Sequence, residues 1–125
     1  MLVGFNVPVP QPDAAQRALN TARSMIERFA PVAQRWRTEH GLATGIGVGM
    51  EAGEAVAGNV GAASFMSYTI IGDPVNVAAR MQQHAAGGEL LIASGVADDL
   101  VRKTPLLSLN LRGHEQPIDA FVFGR

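Results

Sequence analysis

An asparagine and an arginine four residues apart, Asn76 and Arg80, lie in the segment DPVNVAARMQQH that begins at Asp73. Aspartate followed by proline is a helix-start signal, with the aspartate as N-cap and the proline at the first helical position. The pattern predicts a helix from 74 to about 85, ended by Gly87 and Gly88. At about 100° per residue, Val75, Val77, Ala78, Ala79 and Met81 sweep one apolar arc, and Asn76, Arg80, Gln83 and His84 share the opposite one. Asn76 and Arg80 therefore stack one turn apart. Such a pair is ordinarily a solvated polar face. Its chemical reading is a carboxamide and a forked cation presented together to an anion or a developing oxyanion, an arrangement worth most where water is excluded.

Charge patterning singles out the same arginine. Residues 41–100 carry six acidic side chains and one basic one, Arg80, within a 125-residue chain of net charge −1. Residues 1–40 carry five basic and three acidic side chains, and 101–125 carry four and two. No basic stripe could release counterions from a nucleic-acid backbone, so binding to DNA or RNA is disfavoured. The absence of cysteine excludes a disulfide framework, a thiolate metal site and a cysteine nucleophile, and makes a reducing cytoplasm the expected location. No apolar run approaches the ~20 residues of a membrane span. The opening MLVGFNVPVP has no basic flank and is broken by Pro8 and Pro10, so it reads as structure rather than a targeting signal.

Other motifs fall away on inspection. Gly53 to Gly58 has P-loop spacing, but Asn59 stands where a lysine must reach the phosphates. Gly45, Gly47 and Gly49 alternate with Ile46 and Val48 and lack a third dinucleotide-fingerprint glycine; their period of two points to close backbone packing. His40, His84 and His114 form no helical pair, so no histidine metal site is visible. No serine lies in a nucleophile elbow.

The elements that must position Asn76 and Arg80 follow from periodicity. Residues 1–7 read as a short strand, stopped by the proline-rich stretch Val7 to Pro12. Asp13 is a candidate N-cap for an amphipathic helix with Ala15, Ala18, Leu19, Ala22, Met25, Ile26, Phe29, Ala33 and Trp36 on its apolar stripe, kinked or restarted at Pro31. Two glycine-rich strands, about 43–50 and 53–61, read as a hairpin turning at Glu51-Ala52-Gly53. An extended run at 65–71, the helix with Asn76 and Arg80, a strand at 89–93, a short helix at 95–103 and a strand pair at 106–112 and 117–123 complete the chain. The order is β-α-β-β-β-α-β-α-β-β, one α/β domain over 1–125, of a size that buries roughly two-thirds of its unfolded surface.

The stretch YTIIGDPVNVAARM, residues 68–81, resembles the signature segment of the class III adenylate and guanylate cyclase catalytic domain, bacterial type. Four further segments are similar, in order: VGFNVPVPQPDAAQRAL at 3–19, GIGVGMEAGEAVAGNVG at 45–61, GGELLIASGV at 87–96 and LRGHEQPIDAFVF at 111–123. The resemblance implies a ferredoxin-like α/β sandwich working as a head-to-tail dimer, with active sites built from both subunits. One partner supplies two metal-binding aspartates for Mg²⁺ or Mn²⁺. The other supplies base-reading residues and the Asn and Arg that act as the ribose 3′-oxygen attacks the α-phosphate. Carried over by motif, Asn76 orients the ribose, Arg80 stabilises the transition state, Thr69 reads the base and Arg112 meets the terminal phosphates.

The same comparison marks what these 125 residues lack. In the family, both metal aspartates and the base-reading lysine precede the strand that matches Met1 onward, while here the sole lysine is Lys103. The expected architecture is therefore a cyclase sandwich without its first strand-helix-strand portion, inactive by itself and prone to form a homodimer or higher oligomer through unpaired sheet edges. The implied activity is conversion of a nucleoside triphosphate, ATP rather than GTP on the strength of Thr69, to the cyclic nucleotide and pyrophosphate in intracellular signalling. The alternative is a non-catalytic cyclase-like module that binds nucleotide or a regulatory partner.

Overall fold

The computed structural model describes residues 1–93, 96, 106–109 and 118–123. Helix α1 spans Ala14–His40, followed by strands β1 (Val48–Met50), β2 (Val56–Ala62) and β3 (Phe65–Ile71), helix α2 (Asp73–His84), and strands β4 (Leu90–Ala93), β5 (Leu106–Leu109) and β6 (Ile118–Phe123). The strands form a four-stranded sheet in the order β1-β4-β6-β5 and a separate two-stranded ribbon, β2-β3.

The mixed α/β architecture agrees with expectation; one strand pairing and one expected strand do not. Strand β1 runs parallel to β4, with Val48 opposite Leu90 and Met50 opposite Ile92. The hairpin instead joins β2 to β3 in register Val56↔Ile71 through Ala62↔Phe65. Glu51-Ala52-Gly53 is thus a connection between sheets. Residues 1–7 form no strand, because an extended run becomes one only against a paired edge, and no described strand pairs with it. The helix expected at 95–103 lies outside the described residues except for Val96, which is buried.

Helix α1 runs through Pro31 without a break. Pro31 and Glu27, the residue whose carbonyl loses its donor, are both exposed, so water satisfies the freed group. Asp13 is the N-cap residue, but its carboxylate accepts a hydrogen bond from Arg17 Nε at 2.7 Å rather than capping the helix. That bond holds the Asp13 carboxyl below its usual range. At the other end Gly41, at φ 65°, adopts the left-handed conformation that glycine supplies freely, and its N–H bonds to the Arg37 carbonyl.

The core gathers around β4, whose four residues are all buried. Leu19 and Ala22 of α1, Met50 of β1, Val77 and Met81 of α2, and Ala120 and Val122 of β6 pack in the same cluster. Met81 is fully enclosed, at 0% exposure. Met81→Ala is expected to destabilise the fold by about 2–5 kcal/mol, combining lost transfer energy and a residual cavity. A urea melt checks this as a lower midpoint with unchanged slope.

Candidate active site

The site is built on α2, and α2 is placed by glycines. A Cβ at Gly49 would come within 2.7 Å of the Gln82 backbone nitrogen and 2.9 Å of Met81 Cβ. One at Gly47 would lie 2.9 Å from both the carbonyl oxygen and Cβ of Ala85. The period-two glycines thus let β1 and the residues before it lie directly against the helix, and bury Val77 and Met81. At the helix start, a Cβ at Gly53 would sit 2.7 Å from Pro74 Cγ, and one at Gly72 would sit 3.1 Å from the Glu54 carbonyl oxygen. The connection from β1 to β2 therefore passes tightly across the first turn of α2.

Gly72, not Asp73, is the N-cap residue of α2, with no side-chain cap. Asp73 falls in the first turn, where a carboxylate complements the helix dipole. Below the last turn, Glu89 is buried at 7% exposure, and its Oε2 accepts a hydrogen bond from the Ala86 N–H at 3.1 Å. The role of Glu89 in fastening the turn that follows α2 was not visible in sequence beyond a charged residue after two glycines.

With Val77 and Met81 turned inward, Asn76 and Arg80 fall on the other arc of α2, Asn76 exposed and Arg80 half-buried. Their Cβ atoms are one turn apart, about 5–6 Å. Among the described residues Arg80 makes no ion pair. Its guanidinium is thus not committed to a carboxylate of the described residues. Thr69 is half-buried on β3, opposite Gly58 of β2. It reaches α2 through the junction Ile70-Ile71-Gly72. Arg112 lies outside the described residues.

Among the described residues no group of three His, Cys, Asp or Glu side chains could hold a metal ion, so those residues do not by themselves fit a divalent cation. Again among the described residues, no helix is long and apolar enough to cross a membrane. A cleft of about 350 Å³ between the second half of α1 and residues 44–46 and 87–88, with Phe29, Arg37 and Thr44 on its walls, contains none of the candidate residues. Asn76 is exposed, and Arg80 and Thr69 are half-buried, outside that cleft.

Comparison with known proteins gives this surface a context. The chain is 36% identical over 124 residues to a protein of Mycobacterium tuberculosis, covering 94% of this chain and 20% of that relative. It therefore spans about a fifth of the length of the curated relatives it matches. Among solved structures, the adenylyl cyclase CyaB from P. aeruginosa superposes with a TM-score of 0.83 at 26% identity, over 98% of this chain and 68% of that one. The guanylyl cyclase Cya2 superposes with a TM-score of 0.82 at 27% identity, over 94% and 61%. The family model described as the adenylate and guanylate cyclase catalytic domain matches residues 1–120. Matched over nearly its whole length in sequence and across its sheets and helices in structure, the chain belongs to the adenylate and guanylate cyclase catalytic domain family.

Proposed function

We propose that residues 1–125 form one unit carrying the charge-stabilising half of a composite adenylate cyclase active site, converting ATP to 3′,5′-cyclic AMP and pyrophosphate. The observation that carries the reading is the placement of Asn76 and Arg80 one turn apart on a helix that Val77 and Met81 lock into the core, with Asn76 exposed and Arg80 half-buried. In the ring closure, the ribose 3′-oxygen bonds to the α-phosphorus, the bond from that phosphorus to pyrophosphate breaks, and the hydroxyl proton passes to water. Negative charge accumulates on the α-phosphate oxygens. The planar fork of Arg80 matches two such oxygens, and the Asn76 carboxamide hydrogen-bonds the ribose and fixes the approach of its 3′-oxygen. Arg112 meets the terminal phosphates.

Electrostatic stabilisation of this kind is strong only where water is excluded. On this chain Asn76 is exposed and Arg80 only half-buried, which supports a second subunit completing the enclosure and bringing the metal-ligating carboxylates of the family. In this reading the 125-residue chain alone turns over no ATP. Similarity does not choose the base, since a guanylyl and an adenylyl cyclase match about equally well. The preference for ATP rests on Thr69.

A complementation assay tests the reading. The chain is mixed with a cyclase variant that keeps its metal carboxylates but lacks its own Asn and Arg pair, and cyclic nucleotide is measured with ATP or GTP and Mn²⁺. Product from the mixture and from neither chain alone is the expected result, with more from ATP. ATP binding without turnover would replace this reading with that of a non-catalytic nucleotide-binding module.

A further inference from the structure

The β2-β3 ribbon carries a glycine that its geometry does not require. One face of the ribbon reads, rung by rung, Val56 opposite Ile71, Gly58 opposite Thr69, and Val60 opposite Ser67. The flanking rungs bear aliphatic side chains that stand in solvent: Val56 is 73% exposed, Ile71 56% and Val60 48%. The middle rung has a bare backbone on one strand and a hydroxyl on the other. A Cβ added at Gly58 meets no heavy atom within 4 Å, and Gly58 is not among the positive-φ residues. Gly45, Gly47 and Gly49 differ, because each would collide with neighbouring backbone. Glycine inside a strand weakens it and often marks close approach by something else. Neither conformation nor crowding among the described residues accounts for it at position 58.

We propose that Gly58 is a specificity-determining residue that keeps the ribbon face beside Thr69 open for the purine ring of the nucleotide. A purine is flat, with apolar faces and a polar edge. The notch offers a bare peptide floor at Gly58, aliphatic walls at Val56, Val60 and Ile71, and one hydroxyl at Thr69 to meet that edge. Ile70, Ile71 and Gly72 separate Thr69 from the first turn of α2, which supports assigning a base held here to the same molecule whose ribose and phosphate meet Asn76 and Arg80. The inference rests on the proposed function in assigning Thr69 to the base. It adds the residue across the ladder that makes room for that base.

Gly58→Val tests the inference, because valine suits a strand and its Cβ meets nothing here, so the variant folds and melts no lower than the parent. Affinity for ATP, for the base-free ribose 5-triphosphate and for inorganic tripolyphosphate is measured in the complemented complex, with Gly58→Ala as the smaller step. ATP affinity is expected to fall roughly tenfold or more, the order of one lost base-stacking contact, with the two base-free ligands unchanged and alanine intermediate. Equal affinity of parent and Gly58→Val for ATP, or an equal loss for all three ligands, overturns the proposal. So does a parent that binds ATP no better than tripolyphosphate. A change in sedimentation without a base-selective loss also overturns it, and assigns the face to a second copy of the chain. Arg80→Ala separates the two readings: if that variant retains full turnover while Gly58→Val loses ATP selectively, the proposed role of α2 fails and the purine notch stands.

Discussion

Arg80→Ala is expected to lower cyclic nucleotide formation in the complemented complex by at least about 10²–10³-fold, the cost of removing one preorganised donor from a developing oxyanion. The loss is expected in kcat, because the charge that Arg80 is proposed to answer is larger in the pentavalent state than in bound ATP. Stability is expected to stay within about 0.5 kcal/mol of the parent, since Arg80 lies on the outer arc of α2 and makes no ion pair among the described residues. Arg80→Lys restores charge without the planar fork, and recovers only part of the rate. Single-turnover kinetics beside a thermal melt provides the check. Full activity in Arg80→Ala, or a collapse of the melt, would remove the arginine from the mechanism.

Gly49→Val is expected to destabilise the chain by about 3 kcal/mol, the upper end for an overpacked core. Most small-to-large changes are relieved by the far end of a flexible side chain. Here the new Cβ would face the Gln82 backbone nitrogen at 2.7 Å and Met81 Cβ at 2.9 Å, and neither yields without moving the helix. A urea melt should show a midpoint well below that of the parent. Displacing α2 also displaces Asn76 and Arg80, so under conditions where the variant remains folded its complemented rate should fall, although position 49 contacts no substrate in the proposed mechanism. An unchanged midpoint would mean that β1 does not set the seat of α2.

These two residues mark what could be read from sequence. The helix with Asn76 and Arg80 was legible because Asp73-Pro74 and the apolar arc around Val77 and Met81 are local signals. The glycines at 45, 47 and 49 announced close packing through their period of two, and the structure identifies the neighbours as α2 and the chain just beyond it. The partner of β1 was not legible. Glu51-Ala52-Gly53 has turn chemistry, and a local reading pairs the strands on either side of it. The parallel match of Val48 with Leu90 joins residues some forty positions apart, and no short-range pattern encodes it. Glu89 was equally hidden, since burial of a carboxylate depends on what folds over it.

Helix α2 is seated on the four-stranded sheet, whereas Thr69 belongs to a ribbon that shares no strand pairing with that sheet among the described residues. The groups proposed to recognise the base and to stabilise charge are thus mounted on separately supported parts, meeting at Gly72. Changes that disturb the ribbon should appear chiefly in KM and in the choice between ATP and GTP. Changes that disturb the helix mounting should appear chiefly in kcat. Under the proposed assignments, substitutions along β2 and β3 would retune substrate preference while leaving the catalytic step as it is, a division of labour between two separately mounted parts.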